Sequence, residues 1–156
     1  MKATSSFVLS APNQIGFAVR DVDATLQRYR ARYGWEPASV ATVDLNESCA
    51  YRYRGRPSFC RLKIGVIEQG AVQLEFIELL DGEHPVGDYL RQHGEGINHL
   101  GFFVEDLDAI VKNLAAEGVH PVIEGRFEIA DGRAGAFIYV NDDDAGGTML
   151  EMVALK

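Results

Sequence analysis

Apolar and polar positions alternate through residues 13–19, with Gln14, Gly16 and Ala18 on one face and Ile15, Phe17 and Val19 on the other, as in a strand. The period then lengthens. Val22, Leu26, Tyr29 and Tyr33 recur at i, i+4, i+7 and i+11, which predicts an amphipathic helix with Asp21 as its N-cap and Gly34 as its C-cap. Three more strands are predicted at about 38–45, 58–67 and 71–80, with Glu68-Gln69-Gly70 as a tight hairpin turn. Residues 51–57 read either as an extension of one strand or as a loop. Residues 1–11 read as a poorly ordered lead-in.

Residues 81–96 form a linker with loops at 81–85 and 93–96 and a short helix over 86–92. The same order of elements then returns. Residues 97–104 read as a strand, and Asp106 caps a helix with Leu107, Ile110, Val111 and Leu114 at i, i+3, i+4 and i+7, ended by Gly118. Strands follow at about 121–128, 134–140 and 147–154, with 141–144 as a solvated turn. The repetition extends to the residues themselves. Asn13-Gln14-Ile15-Gly16-Phe17 lies over Asn98-His99-Leu100-Gly101-Phe102 at a spacing of 85 positions that also brings Asp23 over Asp108. The chain therefore reads as an α+β protein of two tandem βαβββ units, 12–80 and 97–155. Each unit has too little apolar surface for a core of its own, so the two are expected to share one core in a single domain, 1–156.

Composition narrows the function. A formal net charge of −8 argues against non-specific nucleic-acid binding, which needs a basic face. No apolar run approaches the roughly 20 residues of a membrane span, and the N-terminus lacks the apolar stretch of a secretory signal, so a cytoplasmic protein is expected. Cys49 and Cys60 have no CxxC spacing and read as reduced and structural. Arg52, Arg54, Arg56, Arg61 and Lys63 cluster in sequence. They suit either a solvated strand edge or an anchor for an anionic substrate arm.

The residues of greatest chemical interest sit inside the repeat. The last strands of the units match, Glu75 over Glu151, and each places a carboxylate among apolar neighbours, where it is costly unless paired or bound to a metal. With Gln14 and His99, the units supply four polar residues at equivalent places. Taken alone, His99 suits a hydrogen-bonded core residue and either glutamate a structural ion pair. Together, three oxygen ligands and one imidazole suit a borderline divalent cation, and two carboxylates would neutralise it. His84, His93 and His120 lie in loops or at a helix exit, where surface or substrate contacts are expected.

This arrangement resembles the vicinal oxygen chelate superfamily of glyoxalase, bleomycin-resistance and extradiol dioxygenase relatives, over nearly the whole chain. The resemblance implies a single curved eight-stranded sheet around a metal-binding cleft, one divalent ion (Zn, Co, Ni, Mn or Mg) held by Gln14, Glu75, His99 and Glu151, and a homodimer. His84-Pro85 and the run from Gly94 to Phe102 resemble the linker and second-unit opening of methylmalonyl-CoA epimerases. Those enzymes usually carry His at the first ligand position, where this chain has Gln14. The set Gln, Glu, His, Glu instead resembles zinc-type glyoxalase I. Fe(II) dioxygenases need two His and a carboxylate, and bleomycin-resistance binders generally lack the four ligands.

Both leading relatives remove a proton next to a carbonyl. The resemblance implies Glu151 as the base, Glu75 as its partner across the site, and a small-molecule substrate such as an acyl-CoA or a glutathione adduct. The leading expectation is an epimerase like methylmalonyl-CoA epimerase. A lactoylglutathione lyase is the alternative, and a non-catalytic small-molecule binding or resistance protein is the second.

Overall fold

The computed structural model describes residues 7–129, 131–141, 143 and 146–156. Ten strands and three α-helices follow one another as β1 (Gln14–Ala18), α1 (Val22–Tyr33), β2 (Ser39–Leu45), β3 (Arg52–Tyr53), β4 (Arg56–Pro57), β5 (Cys60–Gln69), β6 (Val72–Gly82), α2 (Pro85–His93), β7 (Gly96–Phe103), α3 (Leu107–Ala116), β8 (Ile123–Glu128), β9 (Ala134–Asn141) and β10 (Met149–Leu155). The strands form one curled half-barrel sheet, in the order β2-β5-β6-β1-β7-β10-β9-β8-β3-β4. The two units meet where β1 and β7 pair antiparallel at the middle of the sheet.

Strand alternation sorts the side chains between the two faces. On the convex face, α1 packs Val22 and Leu26 against Ile67 and Phe76, and Phe76 is stacked on Phe17 with 5.0 Å between ring centroids. On the same face of the second unit, α3 packs Leu107 and Ile110 against Ile138, Val140, Met152 and Ala154. Each fully buried Val, Leu, Ile, Met or Phe among these contributes roughly 1.5–3 kcal/mol. Both caps of α1 are as expected: Asp21 accepts from Ala24 N–H at 2.9 Å, and Gly34 takes the left-handed conformation (φ 70°). The lead-in is corrected in part. Phe7 and Leu9 pack against the α3 cluster, and residues 1–6 lie outside the described residues. Of the turn at 141–144, positions 142 and 144 also lie outside them.

The sheet has ten strands where eight were expected. The additional pair is the hairpin β3–β4, where Arg54 (φ 50°) and Gly55 (φ 78°) are the two left-handed residues of a tight turn. This hairpin leaves its own unit and pairs antiparallel with β8 of the other, Tyr53 opposite Ile123. Glu83 ties it down, receiving Arg56 through two bonds of 2.6 and 2.7 Å and the Ser58 hydroxyl at 2.6 Å. Tyr51 adds a bond from its hydroxyl to the Glu83 carbonyl at 2.8 Å. The hairpin thus straps the first unit to the outer strand of the second.

Both cysteines are free. Cys60 is 1% exposed, and burial pushes its thiol up to about 12. Cys49 is only half-buried, with its sulfur against the backbone of Asn46. Iodoacetamide at pH 8 should therefore label Cys49 in the native protein and Cys60 only after unfolding, because the thiolate is the nucleophile. Mass spectrometry of the native protein showing both labelled at equal rates would contradict this assignment. Among the described residues no helix is long and apolar enough to cross a membrane.

Candidate metal centre

The site lies on the concave face, across the four central strands β6, β1, β7 and β10. Register places Gly16 beside both Glu75 and His99, and Gly101 beside both Gln14 and Glu151. Each row therefore has a glycine where a side chain would fill the space needed by its neighbours. The glycines are themselves repeat-equivalent. The ring of His99 lies over Gly16, and the side chain of Gln14 lies over Gly101.

His99 is wholly buried, and its Nε2 is 3.2 Å from Glu151 Oε2 and 3.4 Å from Glu75 Oε2. The three ligand atoms of Glu75, His99 and Glu151 lie within 4.8 Å of one another. At the other end of the ring, Nδ1 is 3.2 Å from Asn98 Oδ1. Asn98 reaches it because of a bulge. Gly16 faces His99 while Phe17 faces Ile97, so Asn98 has no partner in β1 and turns toward its neighbour's ring. An Nδ1–H donated to Asn98 leaves Nε2 as a lone pair directed at two carboxylates. With Nε2 unprotonated, neither Glu75 Oε2 nor Glu151 Oε2 has a hydrogen-bond donor among the described residues.

Buried acceptors facing one another in this way are costly without a cation between them. The donor set fits a divalent ion. Without one, a proton takes its place: burial works against the imidazolium, but the carboxylates of Glu151 and Glu75 override it and hold His99 up to about 9. Burial also raises the Glu151 carboxyl, with His99 opposing the shift.

Gln14 joins from β1 through a directed chain of amides. Gln73 Nε2 donates to Glu68 at 2.8 Å, so its Oε1 is left to accept Gln14 Nε2 at 3.4 Å. That leaves Gln14 Oε1 at 2.9 Å from where a Cβ on Gly101 would stand, a point that Glu151 Oε2 approaches to 3.4 Å. All four sequence-predicted residues are thus gathered on one patch of the sheet.

Two contributors escape the sequence reading, which leaves a third open between the surface and substrate contact. Asn98 orients His99 through the bulge. Tyr139 is buried with its hydroxyl 3.5 Å from His99 Nε2. His84, expected at a surface or in substrate contact, is buried and lines the cleft. The asparagine was in view as a repeated residue, but periodicity carries no sign of a bulge. His93 and His120 are exposed and line a different cavity.

The cleft above the site encloses about 370 Å³. Its walls include Leu62, Ile64, Phe102, Phe103, Phe127 and Phe137, and no lysine or arginine lines it among the described residues. The basic cluster is spent elsewhere. Arg56 pairs with Glu83, Arg61 with Asp44, Lys63 with Asp23 and Arg54 with Asp88, while Arg52 bonds the Gly55 carbonyl. The structure thus favours the solvated-edge reading of these residues over the anionic anchor.

A family model for the glyoxalase/bleomycin resistance protein/dioxygenase superfamily matches residues 13–139. The chain belongs to this superfamily. Among curated proteins, it is 28% identical over 115 residues to the 4-hydroxyphenylpyruvate dioxygenase of Caenorhabditis elegans, which covers 72% of this chain and 26% of that protein. The chain thus spans about a quarter of the dioxygenase's length. It is also 26% identical over 96 residues to the uncharacterized protein YqjC of Bacillus subtilis, covering 62% of this chain and 67% of YqjC. Among solved structures of the superfamily's fold, methylmalonyl-CoA epimerase from Mycobacterium tuberculosis superposes with a TM-score of 0.66 at 22% identity, over 98% of this chain and 93% of that one. A variant of the Streptomyces coelicolor epimerase in complex with 2-nitronate-propionyl-CoA gives 0.66 at 26% identity, over 94% and 98%.

Proposed function

We propose that the protein is a divalent-metal-dependent epimerase or isomerase that moves a proton on the carbon next to a carbonyl, most like methylmalonyl-CoA epimerase. Gln14, Glu75, His99 and Glu151 hold the ion, and Glu151 and Glu75 carry the proton. The observation behind this reading is the pair of buried carboxylate oxygens, without hydrogen-bond donors, that converge on His99 Nε2 from opposite sides of the β1–β7 seam. When bound, the metal supplies Lewis-acid stabilisation of the negative charge that builds on the carbonyl oxygen.

The remaining steps belong to the chain. The apolar walls exclude water and strengthen electrostatic interactions inside the cleft. Glu151, whose carboxyl burial raises, is a stronger base toward a carbon-bound proton than a solvated carboxylate. Glu75 stands on the other side of His99, so a proton returned from Glu75 arrives at the opposite face. This two-sided placement is what epimerisation requires.

The donor set Gln, Glu, His, Glu favours a second reading, a lactoylglutathione lyase. A glutathione adduct carries two carboxylates and a methylmalonyl thioester one, and no lysine or arginine lines the walls among the described residues to receive either, so the two substrates must be separated by assay.

Protein prepared without chelator should contain one divalent ion per chain by elemental analysis, and His99→Ala should contain almost none. Loaded protein should then be given methylmalonyl-CoA and the methylglyoxal–glutathione hemithioacetal side by side in D₂O. Deuterium entering the α-carbon of the thioester supports the epimerase, and lactoylglutathione formation supports the lyase. Binding without exchange into either would leave a sequestering protein. Metal-free protein that cannot be loaded would sink the whole reading.

A further inference from the structure

We propose that His84 is a fixed hydrogen-bond donor in the cleft, presenting its Nε2–H to a carbonyl or enolate oxygen of the bound substrate. The inference rests on the proton-transfer reading above. It begins at the start of α2, where His84 is the N-cap, in extended conformation (φ −153°, ψ 148°). Its Nδ1 accepts the Val86 N–H at 3.2 Å. Pro85 occupies the first turn and has no N–H of its own, so Val86 brings the first backbone donor that needs a cap. A nitrogen that accepts carries no proton, and the neutral ring must then carry its proton on Nε2.

Caps of this kind are usually Ser, Thr, Asp or Asn, whose short side chains bond the backbone and reach no further. An imidazole satisfies the same N–H and keeps a second polar atom at the far side of a rigid ring. That ring is 3% exposed, stands edge-on to Tyr139 at 5.6 Å between centroids, and lines the same cleft as Glu75 and Glu151. Among the described residues Nε2 has no hydrogen-bond acceptor. Nε2 is not among the buried polar atoms left without a partner, so it meets the open space of the cleft, where an oxygen of the ligand can accept from it.

The capping bond has a further consequence. His84 cannot take a second proton without giving up Val86, so the ring stays neutral beside the metal ligands. A neutral donor can stabilise oxygen charge without repelling a divalent ion nearby. Its role is therefore distinct from that of His99, whose free lone pair is aimed at the cation.

Cap and donor can be separated by substitution. His84→Ser keeps a good cap and removes the cleft donor; His84→Gln keeps an N–H of some reach on a poor cap. The probe is acetohydroxamate, a planar two-oxygen chelator resembling an enediolate, titrated calorimetrically into zinc-loaded protein. His84→Ser should melt close to the wild type yet bind acetohydroxamate about tenfold more weakly or worse, the range for a hydrogen bond to a charged group. His84→Gln should melt lower but retain more of the affinity than the serine variant. Nitrogen NMR of the metal-free protein at neutral pH should show His84 protonated on Nε2 and bare on Nδ1. Equal affinity in the serine variant and the wild type overturns the proposal, as does an Nδ1-protonated or charged ring. Wild-type protein that takes up no zinc would defeat the metal reading alone, and the metal-free spectrum then decides for or against His84.

Discussion

Glu151→Gln should reduce deuterium incorporation into the substrate's α-carbon by at least about a hundredfold, the lower end of what a positioned base contributes. The same change should not destabilise the metal-free protein, and there the two effects separate. The amide has the size and shape of the carboxyl, so it opens no cavity. It removes one of two buried carboxylates that, without a metal, face each other across a single protonated imidazole. Burial is the leading cause of the raised Glu151 carboxyl, with the charge of Glu75 adding to it. Removing that penalty is expected to leave the melting temperature of the metal-free variant equal to or above that of the wild type, the usual signature of a residue kept for function at some cost in stability. Metal affinity should fall as one negative ligand is lost. Exchange at the wild-type rate would remove Glu151 from the mechanism. A strongly lowered melting temperature would instead make it a structural partner of His99.

The residues that allow this prediction were legible because they stand in a repeated, alternating pattern. Period-two alternation put Glu75 with Ile77 and Glu151 with Val153 on one face, and in the fold those faces line the same cleft. The duplicated Asn-x-x-Gly aligned Gln14 with His99, and pairing of β1 with β7 brings each beside the other unit's glycine. What stayed hidden depends on departures from period. The bulge at Asn98 changes where one side chain points without changing the hydropathy pattern. Strands β3 and β4 are two residues each, too short for alternation to register, and their pairing with β8 is a contact between distant parts of the chain. The orientation of the Gln14 amide depends on Gln73 and Glu68, which no local pattern connects. His84 looked like a loop residue because its capping role is visible only when Nδ1 and Val86 N–H are placed together.

The two repeat-equivalent glycines should respond unequally to alanine, and Gly16→Ala should be the more damaging. A Cβ at Gly16 would stand 1.9 Å from His99 Cε1 and 2.4 Å from its Nε2, far inside contact distance. The imidazole has nowhere to go. It is wholly buried, its Nδ1 bonds Asn98, and the Tyr139 ring packs on it with 4.8 Å between centroids. Overpacking of this kind costs about 1–3 kcal/mol or more, and the strain falls on the one nitrogen ligand. Gly16→Ala is therefore expected to lower the melting temperature and to weaken zinc binding about a hundredfold, the upper end of the range by which disturbed ligand orientation reduces affinity. At Gly101 a Cβ would meet Gln14 Cβ and Oε1, both at 2.9 Å, and Gln14 is a flexible, half-buried side chain. Turning that amide aside would forfeit one neutral oxygen ligand and leave Glu75, His99 and Glu151 in place. Zinc titration and thermal melting of the two variants should thus rank Gly101→Ala well above Gly16→Ala on both measures. Equal losses would mean that Gln14 holds the ion as firmly as His99, and zinc binding at wild-type strength in Gly16→Ala would place the ion away from the imidazole.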